Sequence, residues 1–299
     1  MKLRVWHETS YRYTEPVTLG HNQVRLTPRS FARQECTSSR LSIEPFPAMQ
    51  RSWQDAFGND VTYFTFEEPH LELGITMHAT VNVLPCEPTS IASSYTWEEV
   101  RRMLVENPRD ALLDAALFSF PSPFVPLDSP VRAFAAPSFS PGRPLLEVVR
   151  DLTRRIHAEF RYDPQATSLQ TTLPELLELR RGVCQDFAHL QIACLRAYGL
   201  AARYVSGYLM TRPAPGKTKL IGADASHAWV AVYFPDAGWI DFDPTNDTIP
   251  SDEHITLAWG RDYSDVSPIK GFFLGGGPSM LQVSVDVSEI EERMEPPRR

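Results

Sequence analysis

The sequence predicts an α+β protein: a β-rich N-terminal sandwich, then an α+β core in which helices come first and strands after. Three observations predict the two halves. The first 85 or so residues alternate apolar and polar side chains at the two-residue period of half-buried strands. A proline-rich connection follows. The second half then runs from apolar residues at helical spacing into short β-branched and aromatic segments. With 299 residues, 42% hydrophobic and 22% charged, the chain can bury two cores, which excludes a collagen, a disordered tail and a mini-protein. Net charge is −8 with a pI near 5.5 and scattered basic residues, so nucleic acid is not an expected partner. The expected division is a β-rich domain at 1–86, a partly helical connection at 87–143, the core at 144–270, and a C-terminal strand with a disordered tail at 271–299.

In chain order, Leu3–Trp6, Gln23–Leu26 and Thr76–Val83 read as strands, with Phe57-Gly58-Asn59-Asp60 as a hairpin turn between Arg51–Trp53 and Val61–Phe64. Thr96 with Glu99 makes a capping box opening a short helix, and Ala111–Phe118 is expected to be helical between the prolines. From Pro144, the spacing of Leu145, Val148, Val149, Leu152, Ile156 and Phe160 predicts an amphipathic helix that Asp163-Pro164 ends. Pro174–Leu179 and Cys184–Tyr198 follow as helices, with Gly199 as the left-handed cap. Arg203–Leu209, His227–Tyr233, Trp239–Asp243 and Met280–Val287 read as strands, and the last dozen residues as disordered. Gly275-Gly276-Gly277 lacks the Lys-Ser or Lys-Thr of a phosphate loop and reads as a turn. Met1–Glu8 has no apolar signal core and nothing approaches the roughly 20 apolar residues of a spanning helix, so the expected location is cytoplasmic, with no membrane partner. Reduced thiols are expected at Cys36, Cys86, Cys184 and Cys194, whose spacing matches no zinc pattern.

Chemistry concentrates in the second half. Cys184 precedes an apolar helical pattern, so its sulfur should sit at a helix N-terminus, where unpaired amides and the helix dipole favour a thiolate. Gly182 is read as leaving the approach to the sulfur open. A cysteine on a helix is by itself as readily a small buried hydrophobe. A base and an orienter change that reading: His227 heads a strand 43 residues on, and Asp243 closes the next strand 16 residues further. A hairpin through Phe234–Gly238 would set them side by side, assembling nucleophile, base and orienter from a helix end and a hairpin.

Gly182-Val183-Cys184, Ser226-His227-Ala228-Trp229 and Asp243-Pro244-Thr245, in that order, resemble the transglutaminase-like superfamily of papain-related thiol enzymes. Tyr11-Arg12-Tyr13 and Asp55–Asn59 resemble the β-rich domain that precedes this core in bacterial members. The resemblance implies Cys184 as nucleophile, His227 as base and Asp243 as orienter. It does not imply a substrate, since the superfamily holds cross-linkers, peptidases, amidases and inactive binding proteins.

The Cys184 amide would hold the oxyanion, with Tyr162 or Gln185 as candidates for the second donor. Asp241, two residues before Asp243, is the alternative orienter. His189 is read as a packing residue, Asp186 as a helix N-terminal charge, Cys194 as buried, and Trp229 either as a wall of the cleft beside His227 or, facing the opposite side of the strand, as a core residue. The expected function is thiol-dependent acyl transfer at a peptide or protein amide through a thioester. Hydrolysis is favoured over an amine acceptor because no calcium loop is visible, and no metal or cofactor is called for. The competing reading is a silent peptide-binding or scaffold protein of the same fold.

Overall fold

Residues 1–86, 95–106, 111–212 and 226–290 are described by a computed structural model. β1 (Lys2–Val24) places Leu3, Val5, His7 and Thr9 inward at alternate positions and continues through Tyr13, Val17 and Val24. The expected strands at Leu3–Trp6 and Gln23–Leu26 are thus the beginning and end of one strand, the second stopping at Val24. β2 (Gln34–Glu44), β3 (Met49–Gln54), β4 (Asp60–Phe66) and β5 (His70–Val83) complete the N-terminal part of an antiparallel sheet. β4 and β5 run in succession along one edge of β1, pairing Gly20–Val24 and then Lys2–Arg12. β3 and β2 flank β4 and β5 in turn. Phe64 and Phe66 of β4 share a core with Leu73, Ile75 and Met77 of β5, so the expected sandwich is one sheet packing on itself.

The helical half comprises α1 (Trp97–Glu106), α2 (Ala111–Ala116), α3 (Ser129–Ala135) and α4 (Leu145–Glu159). Thr96 and Glu99 form the expected box, the Glu99 amide donating to Thr96 Oγ1 at 3.3 Å and the Thr96 amide to Glu99 Oε2 at 2.8 Å. α4 buries Leu145, Val148, Val149, Leu152 and Ile156 as one stripe, worth roughly 1.5–3 kcal/mol per side chain taken fully out of water. The short β6 (Arg161–Tyr162), α5 (Leu173–Leu179) and β7 (Arg181–Gly182) lead into α6 (Cys184–Arg196), which packs on the antiparallel sheet of β8 (Ala202–Leu209), β9 (Ser226–Phe234), β10 (Gly238–Phe242) and β11 (His254–Gly260). That sheet is ordered β10-β9-β8-β11. β11 was not expected from the sequence.

After α7 (Tyr263–Val266) the chain returns to the first sheet. β12 (Ile269–Gly275) pairs Val17–Val24 of β1, and β13 (Ser279–Glu289) pairs Leu3–Tyr13. Gly275, Gly276 and Gly277 therefore form a kink in a ribbon that keeps its direction, rather than a reversing turn. All three have positive φ, and the Gly276 amide donates to the Pro16 carbonyl at 3.1 Å. Ser288 and Glu289, expected in the disordered tail, belong to β13; residues 291–299 lie outside the described ones. Ser279–Glu289 are thus part of the sheet of the β-rich region. Among the described residues no helix is long and apolar enough to cross a membrane.

The two halves share a core, in which Leu3, Val5, Val81, Val285 and Val287 pack with α4, α6 and the second sheet. They are also pinned by two side-chain amides. Gln34 exchanges two 2.8 Å hydrogen bonds with the Thr256 backbone, and Asn59 two of 2.9 Å with Trp259, so the open edge of β11 is paired by side chains in place of a strand.

Candidate active site

Cys184 is the first residue of α6, so its amide has no partner within the helix. Asp186 fixes this helix end, accepting the Val183 amide at 2.8 Å and the Thr167 hydroxyl at 2.6 Å; burial pushes its carboxyl up. Gly182 has a different reason from the one expected: a Cβ there would lie 2.7 Å from Asp186 Oδ2 and 2.9 Å from Leu176 Cδ1, so it lets the strand pass close to the helix cap.

His227 opens β9 and reaches both Cys184 and Asp243. Its Nε2 lies 2.8 Å from Asp243 Oδ2, and Cys184 lines the same cleft beside it. Since Nε2 holds the proton shared with the carboxylate, Nδ1 is the nitrogen left for the thiol. Burial alone would lower the imidazole's affinity for a proton; the bonds to Asp243 and Cys184 and their charges reverse this and raise its pKa to about 10. Asp243 is fully buried just beyond β10. Its Oδ1 accepts the Thr245 amide at 2.9 Å, and its Oδ2 accepts from His227, His254 at 3.2 Å and Asn246 Nδ2 at 2.7 Å. Burial opposes ionisation, yet these donors hold the carboxyl well below its ordinary range.

His254 on β11 and Asn246 were missed. Asn246 follows Asp243 in a turn, and His254 comes from a strand without a sequence signal of its own. The His227, His254 and Asp243 ligand atoms all lie within 4.8 Å of one another, near enough for one cation, but both Nε2–H groups are directed at Asp243 and the cluster is accounted for by hydrogen bonds. Asp241 makes no bond to His227: it faces Arg203, and burial raises its carboxyl. Trp229 is fully buried, but on the same strand face as His227, being two residues on; its ring lies 6.0 Å from that of His227 and 5.2 Å from that of His254. The reading with the opposite orientation is therefore incorrect. Gly207 makes room for it, since a Cβ there would meet the indole at 2.4 Å.

Tyr162 pairs with Gly182 across β6 and β7 and is half exposed; burial, then the negative charge of Cys184, raise its phenol pKa. Gln185 lines the cleft beside Cys184. His189 is buried, stacked on Phe124 at 5.4 Å, with Nε2 accepting the Tyr263 amide, and burial lowers its pKa to about 4. Cys194 is buried, which pushes its thiol up.

The cleft itself, about 270 Å³, is closed on its far side by the N-terminal sheet: His7, Thr9 and Tyr11 of β1 and Leu281 and Val283 of β13 face Cys184 and His227 across it. The sequence showed nothing in this half that carries chemistry.

A thiol at a helix start, in one cleft with an imidazole that a buried carboxylate holds, on an antiparallel sheet, is the arrangement of the papain-like class of thiol folds. Residues 3–82 match the family described as the bacterial transglutaminase-like N-terminal region, and residues 132–244 match the transglutaminase-like superfamily. The chain belongs to this superfamily, in its bacterial form with the β-rich N-terminal region. It is 44% identical over 298 residues to an uncharacterized protein of Mycobacterium tuberculosis, covering 97% of this chain and 93% of that one. Over 102 residues, 33% of this chain and 15% of the other, it is 35% identical to a protein-glutamine gamma-glutamyltransferase of Pseudomonas aeruginosa. A solved structure from Cytophaga hutchinsonii, described as a candidate cysteine protease, has the same fold: TM-score 0.74 at 21% identity, covering 99% of this chain and 93% of that one.

Proposed function

We propose that the protein is a thiol-dependent acyl-transferring enzyme acting on a peptide or protein carboxamide. The observation that carries this reading is the grouping of Cys184 and His227 in one cleft, with the imidazole bonded at 2.8 Å to the buried Asp243 carboxylate. His227, whose affinity for a proton is raised by the bond to Asp243, takes the Cys184 proton and frees the attacking sulfur. The sulfur attacks the carbonyl carbon, and the Cys184 amide with the Tyr162 phenol receives the oxyanion; Gln185 is the alternative second donor. Collapse breaks the C–N bond as His227 gives its proton to the leaving nitrogen, leaving a thioester. Water or a primary amine then attacks, losing a proton to His227, and the thiolate is released.

The test combines two readouts on the purified protein. Site-resolved alkylation of Cys184 by iodoacetamide at pH 6 should be fast and should slow at least tenfold in His227→Ala. A blocked glutaminyl peptide should release ammonia, as the free acid without added amine and as the amide with it, which separates hydrolysis from transfer. An inert Cys184 would turn the reading to a silent peptide-binding protein. The four free thiols suit a reducing compartment, and we read the cytoplasm as the location; fractionation checks it.

A further inference from the structure

The N-terminal sheet presents an ordered strip to the cleft. In β1 and β13, Tyr11 is directly opposite Leu281, Thr9 opposite Val283, and His7 opposite Val285. Val285 continues into the shared core, whereas Leu281 and Val283 remain half exposed at the cleft. No Asp, Glu, Lys or Arg lines the cleft among the described residues. This wall is therefore neutral and largely apolar, with two polar side chains set into it.

Those two are bonded in a defined sense. Tyr208 is fully buried, and its phenol lies 2.9 Å from His7 Nδ1; His7 Nε2 lies 2.8 Å from Thr9 Oγ1. A buried phenolic proton needs an acceptor, and His7 Nδ1 is the one within reach, so Tyr208 donates to it. Burial lowers the His7 pKa to about 4, which keeps the ring neutral with its single proton on Nε2. That proton goes to Thr9. The Thr9 hydroxyl, having accepted, keeps its own proton to donate at the wall of the cleft that Cys184 also lines.

We propose that β1 and β13 form the recognition half of the site, Thr9 donating a hydrogen bond to a carbonyl of an extended peptide whose uncharged apolar side chain lies against Tyr11, Leu281 and Val283. The proposal rests on the reading of Cys184 as nucleophile. Thr9, 1% exposed, sits in the lining of the cleft, its hydroxyl held by the chain from Tyr208 through His7.

The experiment compares two electrophiles on the full chain. Iodoacetamide reports the thiol alone; acetyl-Leu-Gly chloromethyl ketone must also occupy the wall. In the parent, the peptidyl reagent should saturate, and an aspartate in place of leucine should weaken its apparent affinity at least tenfold. Thr9→Val should lower the ratio of peptidyl to iodoacetamide rate about tenfold, the worth of one neutral hydrogen bond, and Thr9→Ser should restore it. Leu281→Ser, at a half-exposed position that the core does not need, should lower the ratio several-fold through the apparent affinity. An unchanged ratio in both Thr9→Val and Leu281→Ser overturns the proposal and leaves Cys184 as nucleophile untouched. An iodoacetamide-inert Cys184 in the parent overturns both.

Discussion

The two walls of the cleft are built from opposite materials. The wall from α6, β9 and β10 concentrates charge: a thiol, an imidazole held protonated to about pH 10, and a carboxylate with five donors at its two oxygens. The facing wall from β1 and β13 is neutral, its one histidine kept uncharged by burial. The same cost of burying charge is met in one wall by pairing and avoided in the other by neutralisation. In the proposed scheme, bond-making belongs to the core and selection to the sheet.

Variants can break that division. The largest effect is expected for Cys184→Ala, which should reduce amide turnover to background while leaving the thermal transition in place. Asp243→Ala should lower kcat by on the order of 10³- to 10⁴-fold, since a misoriented imidazole costs that much in comparable triads; full activity in that variant would remove the orienter from the scheme. His254→Ala should cost on the order of tenfold in kcat with little change in KM, because one of several donors to Asp243 is lost while Asn246 and His227 remain. A KM effect instead would move His254 to the recognition wall.

The pH dependence of stability sharpens the comparison further. His227 has a folded-state pKa above its ordinary 6.5, so its contribution is fully present below about pH 6.5 and is lost as pH rises through about 10. The Tm advantage of the parent over His227→Ala should therefore shrink across that window in a melting series. Asp243 works in the other direction, its contribution fading as pH falls below the ordinary carboxylate range. The smallest effect is at the junction of the halves. Gln34→Ala or Asn59→Ala leaves a backbone N–H and C=O of β11 without their partners, and each should cost about 1–3 kcal/mol in denaturant melts while preserving a single transition through the shared core.

The charged wall was legible because each of its residues sits in a local pattern: a helix start at Cys184, a strand start at His227, a strand end at Asp243. The neutral wall was not, because its residues obey the same alternation as core strands. One signal was present. In Leu3-Val5-His7-Thr9-Tyr11 the inward series turns polar at His7 and Thr9, and polar residues at buried parity are unusual enough to mark a site. His254 carried no such mark, since only the approach of β11 to Asp243 gives it a partner. The path of the C-terminal ribbon was illegible for another reason: three glycines in a row read only as a turn before the final strand, whereas opposite Pro16 they let the chain kink and continue along β1.

That ribbon sets an order of events during synthesis. Cys184, His227 and Asp243 all leave the ribosome before Leu281 and Val283, and β1, made first, waits for β13 to cover its edge. A nascent chain therefore holds all three residues of the proposed triad before it holds the strand that completes the facing wall. On the proposed reading, the strand that completes the recognition wall is the last part of the site to be made.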